Sequence, residues 1–125
     1  MSKEAQRYLS NAKETLAKSP IVGNRYADVK YVKSACGIAY LSVLKAIDDY
    51  LVKSGVPEKD LPKKVEEYRK ALRKHVSPYN GKLLDEFNDI YDELHVAGYY
   101  RGMLHFVETV KSSMKTAKGF IGKLG

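Results

Sequence analysis

Residues 29–50 constrain the fold more than any other part of the chain, because their apolar side chains repeat with the period of a helix. One side of this helix carries Val29, Val32, Cys36, Ala39, Val43, Ile47 and Tyr50. Between residues 35 and 47 the opposite side is also weakly polar, with Ile38, Tyr40, Leu41 and Leu44. A helix that is apolar nearly all round is buried nearly all round. The sequence therefore predicts a central helix enclosed by its neighbours and ended by Gly55 and Pro57.

The segment before the central helix has a helical pattern of its own. A first helix is predicted over residues 3–18, with Ser2 as its N-cap and Ser19-Pro20 as its stop. Its apolar stripe consists of Ala5, Leu9, Ala12 and Leu16. Residues 21–24, IVGN, are expected to form a short connection in which Asn24 caps the central helix. We find no alternating strand pattern of useful length in the chain.

The second half of the chain predicts two or three more helices. Asp60 is the expected cap of the third helix, with Pro62 in its first turn, and Asn80 is the expected cap of the fourth. Gly98 and Gly102 are expected to break the fourth helix, since an unbroken run over 82–118 would be about 55 Å long. The last helix is predicted to turn Met103, Val107, Val110, Met114, Ala117 and Ile121 inward and to fray at its GFIGKLG tail.

These patterns predict an all-α protein, an antiparallel up-and-down bundle of four to five helices in a single domain over residues 1–125. No apolar run is long enough to span a membrane, and the polar N-terminus has no signal-peptide pattern. We therefore expect a cytoplasmic protein without membrane association. The single cysteine, Cys36, lies in an apolar segment and is expected to be buried.

The net charge of +7 is distributed unevenly along the chain. Segments 1–54, 55–77 and 109–125 carry net charges of +4, +3 and +4, whereas 78–108 carries −4. Lysine dominates, and acidic residues interrupt the basic segments. This pattern favours a solvated surface over a dedicated nucleic-acid interface, which stays the weaker alternative.

Residues 91–105, YDELHVAGYYRGMLH, contain most of the candidate site residues. The apolar stripe of Leu83, Phe87, Ile90, Leu94 and Ala97 continues at Arg101 and Leu104, which predicts an arginine in register with the core. Either Arg101 pairs with an acid such as Asp92 or Glu93 at a helix end, or it belongs to a pocket for a small anion or nucleotide. The candidate ligand-binding residues are Asp92, His95, Tyr99, Tyr100, Arg101 and His105.

Asp92 and His95 lie three residues apart, the spacing of ligand pairs in di-iron bundles. Such a centre needs a second pair of this kind, and neither His75 nor His105 has an acid three residues before it. We therefore predict no metal and no cofactor.

Three segments resemble the HEPN superfamily, which includes the substrate-binding domains of small nucleotidyltransferases. They are YLSNAKETLAK, ADVKYVKSACGIAYLSVLKAIDDYLV and ELHVAGYYRG, and the resemblance covers residues 3–118. It implies an antiparallel helical bundle, often a homodimer, that acts as a module binding a protein partner or a nucleotide. It also implies, in one branch, a metal-independent ribonuclease with an Arg followed, after four to six residues, by a His.

Arg69 and His75 match that ribonuclease spacing, but they lie in the lysine-rich third helix and not just before the last helices. Arg101 and His105 are one intervening residue short of it. We therefore predict a non-enzymatic binding module that self-associates, with a nucleotidyltransferase-type protein or a nucleotide as its other partner. The alternative is a ribonuclease that uses Arg69 and His75.

Overall fold

The computed structural model describes residues 2–78 and 80–125 and is an all-α bundle. Its elements are α1 (Lys3–Leu16), β1 (Ile21–Val22), β2 (Arg25–Tyr26), α2 (Val29–Lys53), a 3₁₀ turn (Glu58–Asp60), α3 (Val65–His75), α4 (Lys82–Ile90), a π-helix (Tyr91–Tyr100) and α5 (Val107–Leu124). The long helix α2 packs against α1, the π-helix and α5. The buried side chains of all the helices form one hydrophobic core.

Helix α1 begins and ends close to the predicted positions. Its predicted apolar stripe is buried, and the Ser2 hydroxyl accepts a hydrogen bond from the Ala5 amide at 3.1 Å, which confirms Ser2 as the N-cap. The Ser2 hydroxyl also donates to the Asp49 carboxylate on α2. This one side chain therefore both caps α1 and links it to α2.

Replacing Ser2 with alanine is expected to lower the free energy of unfolding by about 1 kcal/mol, because the α1 N-terminus loses its side-chain cap. Urea denaturation measures this change. Ser10→Ala, at an exposed position inside the same helix, is the matched control and should be neutral or slightly stabilising. Equal losses in the two variants would contradict the capping role of Ser2.

The connection between α1 and α2 is a β-hairpin, which the sequence did not predict. Ile21 pairs with Tyr26 and Val22 with Arg25 around a two-residue turn in which Gly23 has a φ of +64°. Strands of two residues are too short for an alternating pattern to show. The predicted cap Asn24 lies in this turn, and Asp28 caps α2 instead by accepting a hydrogen bond from the Lys30 amide at 3.1 Å.

The start of α3 also differs from the prediction. Asp60 ends the 3₁₀ turn, and α3 starts at Val65 with no side-chain cap on Lys64. Glu67 in the first turn reaches back to accept a hydrogen bond from the Lys63 amide at 2.8 Å. A first-turn glutamate therefore satisfies an amide at the start of this helix, in place of the predicted aspartate.

The end of the chain is more ordered than the sequence predicted. Helix α5 continues to Leu124, and Phe120, Ile121 and Leu124 are buried, so the tail packs into the core and does not fray. Met103 precedes α5 and is 60% exposed, so its predicted inward position is wrong. The predicted helix break is confirmed at Arg101–Phe106, where Gly102 has a φ of +60°. Gly98 does not break the helix, because it lies buried inside the π-helix.

Helix α2 is the central helix, but it is not enclosed all round. Leu41 is 51% exposed, and Ile38 and Leu44 are only partly buried. The apolar side that faces the core is covered by α1, the π-helix and α5. The second apolar side therefore remains at the surface, where it borders the π-helix.

Candidate binding groove

The π-helix Tyr91–Tyr100 continues directly from α4 and changes the register that the sequence predicted. Its turns are closed by i→i+5 hydrogen bonds, as in the bond from the Arg101 amide to the Val96 carbonyl at 2.9 Å. Such a turn holds more residues than the 3.6 of an α-helix, so the side chains rotate relative to the predicted stripe. Leu94 and Gly98 are buried, whereas Arg101 is exposed. The prediction that Arg101 lies in register with the core is therefore wrong.

Neither acid proposed as a partner for Arg101 pairs with it. Glu93 accepts a hydrogen bond from the Ser113 hydroxyl on α5 at 2.7 Å, and Asp92 is exposed. Within residues 2–78 and 80–125 Arg101 forms no ion pair. An exposed guanidinium remains hydrated and needs no such partner.

Three aromatic rings stack along one side of the π-helix. The rings of Tyr91 and His95 are 5.3 Å apart with an angle of 25° between their planes, and those of His95 and Tyr99 are 5.8 Å apart at 19°. Tyr40 of α2 packs on the His95 ring at 4.7 Å. The Arg69 guanidinium of α3 lies 5.1 Å from the centre of the Tyr91 ring. The stack thus connects α3, the π-helix and α2.

Two glycines allow the π-helix to lie against α2. A Cβ atom on Gly98 would lie 2.6 Å from the Cys36 Sγ atom, and one on Gly37 would lie 2.7 Å from the Tyr99 ring. Each helix thus presents a glycine to a side chain of the other. This close contact holds Tyr99 over α2 at the edge of its exposed apolar side.

The groove that results has a volume of about 620 Å³ and lies between α2 and the π-helix. It is lined by Ser34, Gly37, Ile38, Tyr40, Leu41, Leu44, His95 and Tyr99. Most of this lining is apolar or aromatic, and it includes no aspartate, glutamate, lysine or arginine. Burial raises the pKa of the Tyr40 phenol to about 12, so this hydroxyl stays protonated at neutral pH. The groove suits apolar side chains or a planar ring.

The structure brings only two of the six candidate residues, His95 and Tyr99, into the groove. Tyr100 is exposed at the last position of the π-helix, Arg101 is exposed directly after it, and Asp92 is exposed near its start. The His105 carbonyl accepts a hydrogen bond from the Tyr26 amide of the hairpin at 2.9 Å. The missed groove residues are those on α2, which the sequence predicts to be an enclosed helix. Tyr91, His95 and Tyr99, spaced four residues apart, were the sequence signal for the stack.

Arg69 and His75 lie on different sides of α3. Six residues along α3 separate them by about 9 Å along the axis and about 120° around it. The Arg69 guanidinium forms a hydrogen-bonded ion pair with Glu66 and donates to the Asn88 side chain at 2.8 Å. It also lies over the face of the Tyr91 ring. The His75 carbonyl accepts a hydrogen bond from the Tyr50 hydroxyl at 3.4 Å. Arg69 therefore has a structural role in the aromatic stack.

Cys36 is buried as predicted, and burial raises the pKa of its thiol to about 12. Because the thiolate is the reactive form, we expect iodoacetamide to alkylate the folded protein at pH 8 at least about a thousandfold more slowly than the unfolded chain. Mass spectrometry with and without denaturant measures both rates. Rapid alkylation of the folded protein would show that the thiol is accessible and would contradict its burial against Gly98.

The described residues contain no cluster of three or more histidine, cysteine or acidic side chains that could hold a metal ion. Of the helices in the described part of the chain, none is both long and apolar enough to cross a membrane.

The chain belongs to a family of unknown function, DUF5618, whose profile matches residues 1–125. It is similar to the solved structure of a protein of unknown function from Dyadobacter fermentans, with 34% identity and a TM-score of 0.79 over 97% of this chain and 90% of that one. A protein from Sulfolobus solfataricus shares the fold at 20% identity, with a TM-score of 0.76 over 99% of this chain and 95% of that one. No curated protein matches the sequence.

Proposed function

We propose that this protein is a non-enzymatic interaction module that forms a homodimer through the groove between α2 and the π-helix. The observation that carries the proposal is the uncovered apolar side of α2. Leu41 exposes half of its surface there, with Ile38 and Leu44 beside it. Burying apolar surface gives about 25 cal/mol per Å², which is the main driving force for association.

The shape of this face supports a second copy of the chain as the occupant. Leu41 protrudes from α2, and the groove along the same face provides a hollow for an apolar side chain. A two-fold dimer brings the same patch of both copies together, so a protrusion beside a hollow is complementary to itself. The absence of acidic and basic residues from the groove lining also matches the core of a protein interface.

The resemblance to the HEPN superfamily supports the same proposal, because members of that superfamily often form homodimers or act as partner modules. A nucleotidyltransferase-type protein is accordingly the partner class that we propose for the dimer. We do not propose catalysis by Arg69 and His75, because they lie on different sides of α3. The Arg69 guanidinium is also bonded to Glu66 and Asn88 and lies over the Tyr91 ring.

A nucleotide is the second candidate ligand, favoured by the position of Tyr99 at the end of the aromatic stack. Tyr99 is 47% exposed and its ring is nearly parallel to that of His95, so a planar base could extend the stack. Thermal-shift measurements with purine and pyrimidine nucleotides test this candidate. A shift that is lost in Tyr99→Ala would support it, and no shift with any nucleotide would exclude it.

Sedimentation equilibrium over a dilution series tests the dimer. We expect the mass of two chains at high concentration and a dissociation constant in the micromolar range or below. The mass of one chain at every concentration that can be loaded would contradict the proposed function.

A further inference from the structure

The end of the bundle that carries the β-hairpin exposes an unusual number of large apolar side chains. They come from the hairpin, from the start of α2, from the last two residues of the π-helix and from the segment that connects it to α5: Ile21, Val22, Val29, Tyr99, Tyr100, Met103 and Phe106. Val22 and Tyr100 are 69% and 74% exposed. Contiguous exposed apolar surface marks a site of protein or membrane interaction. We call residues 21–26 and 100–106 together the hairpin end.

The backbone holds these two segments side by side. The Tyr26 amide donates to the His105 carbonyl and the Val107 amide donates to the Asn24 carbonyl, both at 2.9 Å. Residue 106 thereby pairs with Arg25, which also pairs with Val22. Directly paired residues project from the same face of a ribbon. Val22, Arg25 and Phe106 therefore form one exposed row, while the next residue, Tyr26, is buried underneath.

The rest of the connecting segment extends this row. Gly102 lies against the side chains of Val29 and Lys33, which fixes the segment to the start of α2. On either side of Gly102, Tyr100 and Met103 are exposed. The apolar surface is thus held by a defined backbone and is not a frayed tail.

Basic side chains accompany the apolar ones. The Arg25 guanidinium lies 5.1 Å from the centre of the Phe106 ring, and Arg101 is exposed in the connecting segment. Lys30 and Lys33 follow at the start of α2. The acidic side chains nearby are Asp28, which caps α2 and lies 4.0 Å from the Lys30 ammonium, and Glu108 in the first turn of α5. Cations therefore outnumber acids at this end.

We propose that the hairpin end docks on an anionic lipid surface, with its apolar side chains entering the headgroup boundary and its arginines contacting lipid phosphates. The aliphatic side chain in the exposed row, Val22, favours hydrocarbon over nucleic-acid bases, which stack on aromatic rings. Tyr100 is a tyrosine, which is enriched at the membrane boundary, and Phe106 adds an apolar ring of the kind that enters the headgroup boundary. Docking of this kind needs no membrane-spanning helix, and it departs from our sequence-based expectation of no membrane association.

Vesicle co-sedimentation of the full chain tests the proposal. We compare phosphatidylcholine vesicles with vesicles of phosphatidylcholine and phosphatidylserine at about two to one, and we expect binding to the anionic vesicles that weakens as salt is added. The double variant Val22→Ser/Phe106→Ser should bind at least about tenfold more weakly. Replacing Arg25 and Arg101 with glutamine should weaken binding to the anionic vesicles about fivefold for each arginine replaced.

Two matched variants serve as controls. Lys111→Gln/Lys115→Gln removes the same charge from the exposed side of α5, and Val52→Ser removes an exposed apolar side chain at the other end of α2. Both should bind vesicles as the wild type does. Circular dichroism establishes that each variant is folded, which is expected because every substituted residue is exposed.

The proposal is overturned if the protein does not bind anionic vesicles or if the controls weaken binding as much as the hairpin-end variants. Binding of a single-stranded oligonucleotide in place of vesicles, lost in the same hairpin-end variants, would assign this surface to nucleic acid and would also overturn it. Dimerisation is measured separately by sedimentation, so the failure of either proposal leaves the other standing.

Discussion

The variant Leu41→Glu is expected to be a monomer at concentrations at which the wild type is a dimer. In the proposed dimer both copies bury Leu41 in an apolar groove, so the substitution would bury two carboxylates without partners. We expect the dissociation constant to rise at least about a hundredfold, which sedimentation equilibrium resolves. Because Leu41 is half exposed in the single chain, the variant should keep its fold and its circular dichroism spectrum.

Met103→Glu is the control for this experiment. Met103 is as exposed as Leu41 and also apolar, but it lies at the hairpin end, outside the groove. Its replacement by glutamate should leave the dimer intact. Dissociation by both variants, or by neither, would place the interface elsewhere and would contradict the role of the groove.

The variant Gly98→Ala is expected to have the largest effect on stability. The added Cβ would lie 2.6 Å from the Cys36 Sγ atom and 2.8 Å from the Cys36 Cβ atom, so α2 and the π-helix must separate. Overpacking of this kind costs about 1–3 kcal/mol of unfolding free energy, which exceeds the gain of about 1 kcal/mol from replacing a helical glycine. Chemical denaturation measures the difference.

Gly119→Ala is the matched control for Gly98→Ala. Gly119 lies within α5 and is exposed, and a Cβ there would have no atom within 4 Å. It should therefore stabilise the protein by up to about 1 kcal/mol. Stabilisation of the protein by Gly98→Ala as well would contradict the close contact between the π-helix and α2.

The helical fold could be predicted from the sequence because each buried stripe repeats with the helical period. Ala5, Leu9, Ala12 and Leu16 lie in the core as the spacing indicates, and Gly102 ends the fourth helical segment. The β-hairpin could not be predicted, because its strands have two residues each and Phe106, which pairs with Arg25, is 81 residues away from it along the chain. Pairing at that separation leaves no local pattern.

Only a small part of the candidate site could be predicted, because the π-helix alters the helical period from which its side-chain positions were inferred. A period of 3.6 residues places Arg101 toward the core, whereas the wider turns place Gly98 there and expose Arg101. The exposure of Leu41 was missed for a different reason. An apolar pattern predicts that a side chain is buried, but it does not show which part of an apolar surface the fold leaves uncovered.

Cysteine cross-linking tests most directly whether a second copy occupies the groove. Leu41 itself lines the groove that receives Leu41 of the other copy, so the proposed two-fold interface brings the two residues close together, and the native Cys36 is buried and does not interfere. Under mild oxidation Leu41→Cys is predicted to form a disulfide-linked dimer rapidly and in high yield, whereas Met103→Cys, which keeps the non-covalent dimer, should form little disulfide-linked dimer. A Leu41→Cys chain that cross-links no faster than Met103→Cys would contradict the proposed homodimer.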